Sequence, residues 1–178
     1  HETRGNYATT FPKYFPTPTG QLYYLLRQGP VCFVVLDCAE DKPDSDLEYS
    51  GIVVFDNYRS KQAEWLESAL RESDFLEASY RIVIIHMPPF GGWHGEKEIE
   101  TKFVPLLEKA GVDVMLCGHL HRHIYKKAGD GQNFPIIANS NRAIIKGYTE
   151  HGSLNIDIIN ETGKIVDSLK IHLPRMRQ

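Results

Sequence analysis

Residues 80–90 read YRIVIIHMPPF and residues 112–123 read VDVMLCGHLHRH. Each is an apolar run of strand length that stops at a histidine. Runs of this kind, without polar alternation, read as strands buried on both faces, as in a parallel sheet covered by helices. Between them lies EKEIETKFVPLLEKAG (residues 96–111), an amphipathic helix pattern closed by Gly111. Strand, helix and strand in this order predict an α/β layered fold, and in such sheets ligands gather at the carboxyl ends of the strands. His86 closes one strand and His119 the next.

Upstream, QLYYLLRQGPVCFVVLDCAED (residues 21–41) predicts a short strand, a Gly-Pro turn and a buried strand over 31–36, ending at Asp37. A short strand is expected at GIVVF (residues 51–55). YRSKQAEWLESALRESDF (residues 58–75) follows as a helix carrying Ala63, Leu66, Ala69 and Leu70 on one face, with Ser60 as its N-cap. Residues 1–20, rich in Thr, Pro, Tyr and Phe, predict an ordered loop. Beyond His123 the pattern turns to short strands and hairpin signals, with Leu154, Ile156 and Ile158 alternating with polar residues.

The chain has 178 residues, 42% hydrophobic and 24% charged, which suits one domain with a sizeable core. A net charge of −3 gives no bulk attraction to nucleic acid or to an anionic membrane. No apolar run is long enough for a membrane-spanning helix. Cys32, Cys38 and Cys117 form no C-x-x-C pair and read as small core residues. The chain opens on His1 with neither a start methionine nor a signal peptide, so it reads as an excised piece whose compartment is unknown. There is no serine-hydrolase elbow and no nucleotide phosphate loop.

Of the eight histidines, His119, His121 and His123 occupy alternate positions. On an extended backbone such residues share a side, so His119 and His121 can present imidazoles to one point, as a metal ion requires. With His86 they form a candidate set for a borderline divalent ion.

GHLH (residues 118–121), IVIIHMPPF (residues 82–90) and the opening HE resemble the calcineurin-like metallophosphoesterases. GPVCFVVLD followed by QAEWLESAL is most similar to the purple acid phosphatase-like branch. The resemblance implies a layered β-sandwich flanked by helices, of which residues 1–178 would be the C-terminal portion of a single domain with the N-terminal half missing. It implies two metal ions (iron, zinc or manganese) and phosphoester hydrolysis by attack of a metal-bound hydroxide on phosphorus. A nucleotide phosphodiesterase or nuclease of the same superfamily, or a non-catalytic binding domain with a degenerate metal site, are the alternatives. His86 and His119 would be ligands of the second metal and His121 a ligand of the first. His1 would contact the substrate phosphate and assist leaving-group protonation, with Glu2 following it as the family motif expects.

His94, on the Gly-rich loop HMPPFGGWHGE, either contacts that phosphate, as the resemblance implies, or is an exposed loop histidine. His123 is expected to be a bystander. Asp37 is expected to belong to a turn rather than to orient a histidine. The segment ANSNRA (residues 138–143) could offer polar groups to a pocket, and Arg142 could meet a phosphate.

The family's D-x-H and G-D-x-x-D motifs are absent from these residues. The expectation is therefore that the fragment binds metal weakly or is metal-free, and is inactive without the missing N-terminal half as partner. The substrate class is a phosphate ester. An extracytoplasmic or secreted site agrees with the resemblance.

Overall fold

The computed structural model describes residues 8–129 and 131–173. His1 and Glu2, and with them the expected phosphate contact of His1, lie outside the described residues.

A 3-10 turn (Ala8–Thr10) and a four-residue helix α1 (Phe11–Tyr14) lead into the antiparallel pair β1 (Tyr24–Gln28) and β2 (Val31–Val35). Helices α2 (Phe55–Ala69) and α3 (Ser73–Leu76) return the chain to β3 (Tyr80–Ile84). A second helical stretch consists of α4 (Glu96–Glu98), a π turn (Ile99–Phe103) and α5 (Val104–Ala110), and it precedes β4 (Val114–Cys117). After it come β5 (Ile124–Lys126), β6 (Ile136–Ala138) and an antiparallel meander of β7 (Ala143–Glu150), β8 (Ser153–Asn160) and β9 (Ile165–His172).

The first six strands form one sheet in the order β1-β2-β3-β4-β6-β5, in which β2, β3, β4 and β6 run parallel. Alternation along each strand then decides which layer a side chain joins. Cys32, Val34, Val83, Ile85 and Met115 point to the helices, where they meet Leu66, Phe75, Phe103 and Leu107. Val31, Tyr80, Ile82, Val114 and Ile137 point the other way, onto Leu154, Ile156 and Ile158 of β8. The result is a β-sandwich with helices on one outer face.

Two expectations change in the structure. GIVVF forms no strand: Phe55 already opens α2, because the Asp44 carboxylate accepts the Phe55 N–H at 2.9 Å and stands in for a cap eleven residues away. Ser60 is therefore inside the helix, donating to the Asp56 carbonyl at 3.0 Å. In the second helical stretch, Pro105 sits in the first turn of α5, and the π turn directly precedes it. Gly111 ends α5 in the left-handed conformation, φ 70°, as its glycine predicts.

Candidate metal centre

The parallel strands deliver their carboxyl ends to one edge of the sheet. Hydrogen bonding continues past the strands: Leu36 N–H to Ile84 O (2.8 Å), Gly118 N–H to His86 O (2.8 Å) and Asn139 N–H to Cys117 O (2.8 Å). Asp37, His86, His119 and Asn139 are thus fixed on neighbouring elements of one ladder.

His119 and His121 reach the site in another way than strand alternation. The strand ends at Cys117, and both histidines have positive φ, 64° and 53°, in a turn closed by Leu120 N–H to Gly118 O at 2.7 Å. A left-handed backbone is unfavourable for a side chain with a Cβ, and strain of this kind collects at functional sites. The turn is held from above: a Cβ on Gly91, itself at φ 121°, would lie 2.7 Å from Leu120 Cδ2. That methyl is the end of a flexible side chain, so it is the positive φ that calls for glycine at 91.

The His86 and His119 rings face each other edge-on, centres 5.5 Å apart at 79°. Burial pushes the His86 pKa down, the nearby imidazoles of His119 and His121 push it further, and Glu40 acts in the opposite direction. A depressed pKa keeps the imidazole neutral at physiological pH, the state in which it binds metal. All three histidines line a cavity of about 1050 Å³ between the two sheets, together with Asn139, Ser140 and Asn141. The buried Oδ1 of Asn139 has no hydrogen-bond partner, while its Nδ2 donates to Ala143 O at 2.7 Å. ANSNRA thus does reach the cavity, whereas Arg142 is exposed and not among the lining residues.

His86 and His119 stand beyond the ends of adjacent strands as imidazole donors of the kind a borderline metal ion takes. Among the described residues no group of three His, Cys, Asp or Glu side chains converges closely enough to hold an ion. What is present fits part of a coordination shell.

His94 is engaged elsewhere: its Nε2 lies 3.2 Å from Asp56 Oδ1, and its backbone N–H donates to Asp41 O at 3.0 Å. His123 Nε2 lies 2.8 Å from Asp167 Oδ2 on β9. Asp37 sits in a turn, accepting from Ala39 N–H at 3.0 Å and from the Tyr58 hydroxyl at 2.9 Å. Sequence reasoning missed Glu40, which is 5% exposed and acts on His86. None of the helices among the described residues is long and apolar enough to cross a membrane.

The family model for calcineurin-like phosphoesterases matches residues 3–123. Purple acid phosphatase 18 of Arabidopsis thaliana is 30% identical over 86 residues, covering 46% of this chain and 20% of that protein. Probable purple acid phosphatase 20 of the same plant is 30% identical over 105 residues, covering 47% and 25%. The chain thus spans about a quarter or less of the length of these curated relatives. Among solved structures, GAP50, the anchor in the inner membrane complex of Plasmodium, shares the fold with a TM-score of 0.52 at 13% identity, covering 87% of this chain and 54% of that one. The relatives lie in the purple acid phosphatase branch that the sequence resembles. Because the family match takes in β1 to β4, the His86 loop and the turn carrying His119 and His121, this chain belongs to the calcineurin-like phosphoesterase family.

Proposed function

We propose that this chain is the histidine-bearing, C-terminal portion of a metal-dependent phosphoester hydrolase domain, with His86 and His119 as ligands of one ion and His121 as a ligand of a second. One observation carries the reading: two imidazoles from the ends of adjacent parallel strands face each other at 5.5 Å, one of them on a strained turn. When bound, the ions supply Lewis acidity and a nucleophile drawn from water. The strand ladder positions His86, whose neutral form burial favours, and the left-handed turn after β4 positions His119. Asn139, Ser140 and Asn141 bring polar groups to the wall of the cavity that the histidines line. His1 keeps the phosphate contact that the resemblance gives it.

The remaining ligands, in this proposal, come from a segment outside these 178 residues that lies along β7. Two features support it. Among the described residues, strand β7 pairs only with β8, so that edge of the three-stranded sheet is open to an added strand. On the larger sheet, Leu26 and Ile84 stay 42% and 39% exposed, and Ile84 lines the cavity. An open edge and an apolar face together suit an added strand.

Phosphatase assays on the longer parent protein with zinc, manganese or iron, with and without His86→Ala and His119→Ala, test the reading. Metal-dependent hydrolysis abolished by either substitution is expected; hydrolysis unaffected by both would overturn it. The second reading is a non-catalytic binding domain whose metal site is degenerate, in keeping with the lack of a three-donor cluster among the described residues. One tightly bound tetrahedral zinc in the isolated chain, with no hydrolysis by the parent, would establish that alternative.

A further inference from the structure

The turn between β8 and β9 reads Asn160-Glu161-Thr162-Gly163-Lys164. Of the chain's seven asparagines, Asn160 alone has Ser or Thr two residues later with no proline between. An Asn-x-Thr triplet accepts N-linked sugar when it stands on an accessible loop of a chain that enters an extracytoplasmic compartment.

The hairpin supplies that access. Glu161, Thr162 and Gly163 are exposed, and a Cβ on Gly163, at φ 78°, would meet nothing within 4 Å. Asn160 Oδ1 accepts from the Thr162 N–H at 3.1 Å, the Thr162 hydroxyl at 2.7 Å and the Lys164 N–H at 3.0 Å. Each of these bonds spans four residues or fewer, so the turn is set by its own short sequence. All of them fall on the carbonyl oxygen. The amide nitrogen, Nδ2, makes no hydrogen bond among the described residues, so a substituent there breaks none.

The surface beside the turn is apolar. Ile144, Ile159 and Ile165 lie side by side across β7, β8 and β9. Ile144 and Ile165 are 65% and 53% exposed, and Val166 next to them is 49% exposed. Leu154, Ile156 and Ile158 of β8 fill the core from the other face of this sheet, so the isoleucine row faces outward. Exposed apolar side chains in a contiguous row invite association unless something covers them. Asn160 directly follows Ile159, and a bulky hydrophilic sugar chain at that position covers the row without a protein partner.

We propose that Asn160 is an N-glycosylation site whose glycan shelters the Ile144, Ile159 and Ile165 row. The donor is an oligosaccharide carried on a polyprenyl pyrophosphate. A bond forms between Asn160 Nδ2 and the anomeric carbon of the first sugar, and the bond from that carbon to the pyrophosphate oxygen breaks. The lipid pyrophosphate leaves with the electron pair, and one Nδ2 proton passes to a base. This inference stands apart from the phosphoester reading and uses none of its residues.

The test is peptide mass spectrometry on the parent protein purified from the cells that make it. Trypsin cuts after Lys146 and Lys164 and frees residues 147–164. This peptide should carry hexosamine-containing glycan mass, and peptide-N-glycosidase in heavy-oxygen water should convert residue 160 to labelled aspartate. Asn160→Gln and Thr162→Ala, expressed in the same cells, should lose the glycan completely, whereas Glu161→Ala should keep it. Thr162→Ala retains both backbone N–H bonds to Oδ1, so its loss of sugar is not a loss of the hairpin. An unmodified 147–164 peptide in the parent protein, from whichever compartment it is recovered, would overturn the proposal. A glycan that survives Thr162→Ala would overturn it as well.

Discussion

His94 and His123 each rest against an aspartate, Asp56 at 3.2 Å and Asp167 at 2.8 Å, whereas His86 and His119 face each other across the sheet edge with no side-chain hydrogen bond among the described residues. The first two work as ties: His94 fixes the glycine loop to α2, and His123 fixes the exit of the histidine turn to β9. The second pair is held by its backbone, through the strand ladder and a left-handed turn, which leaves the imidazole nitrogens unspent. A histidine that stabilises a fold spends its nitrogens within the fold; one kept for a ligand is positioned from behind.

The network under His94 gives the largest expected effect. Arg59 is fully buried and bonds Glu98 at 2.5 Å, Asp56, and the Cys38 carbonyl at 3.3 Å. Gly95 must lack a side chain here, since a Cβ would sit 2.8 Å from Arg59 Cζ and from Trp93 Cζ3. Arg59→Leu leaves these acceptors without their buried partner and should cost about 3 kcal/mol. Urea denaturation measures it; a loss below about 1 kcal/mol would mean that the His94 region is not a structural tie.

Next in size is the effect on metal. If the comparison holds, His86→Ala and His119→Ala each lower zinc affinity by about 100-fold or more, since even outer-shell losses reach 10- to 100-fold. His94→Ala and His123→Ala should leave it within about twofold. Competition with a chromophoric chelator reads all four. Equal losses across the set would dissolve the distinction between ties and ligands.

The tie between His123 and Asp167 spans the sandwich and is only about a third exposed on each side. Asp167→Ala should reduce stability by about 1 kcal/mol, the net worth of one charge-assisted hydrogen bond of this exposure. Thermal unfolding would show it as a shift of a few degrees, and an unchanged melting temperature would make His123 the bystander that the sequence suggests.

Much of the frame was legible in the sequence, and what was not has specific causes. Uninterrupted apolar runs marked β2, β3 and β4, and Gly111 marked the end of α5, because each signal is local. The start of α2 was hidden, since its cap is Asp44, across a loop. The candidate ligands His86 and His119 were visible as strand-end residues. The way His119 and His121 turn to the site was not, because alternation presumes an extended backbone and both lie at positive φ. The partners of His94 and His123, 38 and 44 residues away, are set only by tertiary packing.

The smallest effect concerns the cysteines, two of which, Cys38 and Cys117, lie next to the candidate centre in the cavities that His86 and His119 line. Cys117 immediately precedes the histidine turn and Cys38 follows Asp37, so either thiol could be mistaken for a ligand. Burial pushes the Cys32 pKa up to about 11 and those of Cys38 and Cys117 up to about 12. A thiol must ionise to coordinate or to react, so at neutral pH all three are inert in the folded chain. The sign for stability follows from the same shift. The folded state holds these protons more tightly than the unfolded state, so their contribution is complete below the unfolded thiol pKa of about 8.5 and is lost as pH climbs towards 11 to 12. Iodoacetamide at pH 8 should therefore label the native chain far more slowly than the urea-unfolded chain, and chain stability should decline from about pH 9 upward. Rapid native labelling of Cys117 would place a thiolate next to His119 and add a soft donor to the candidate imidazole pair.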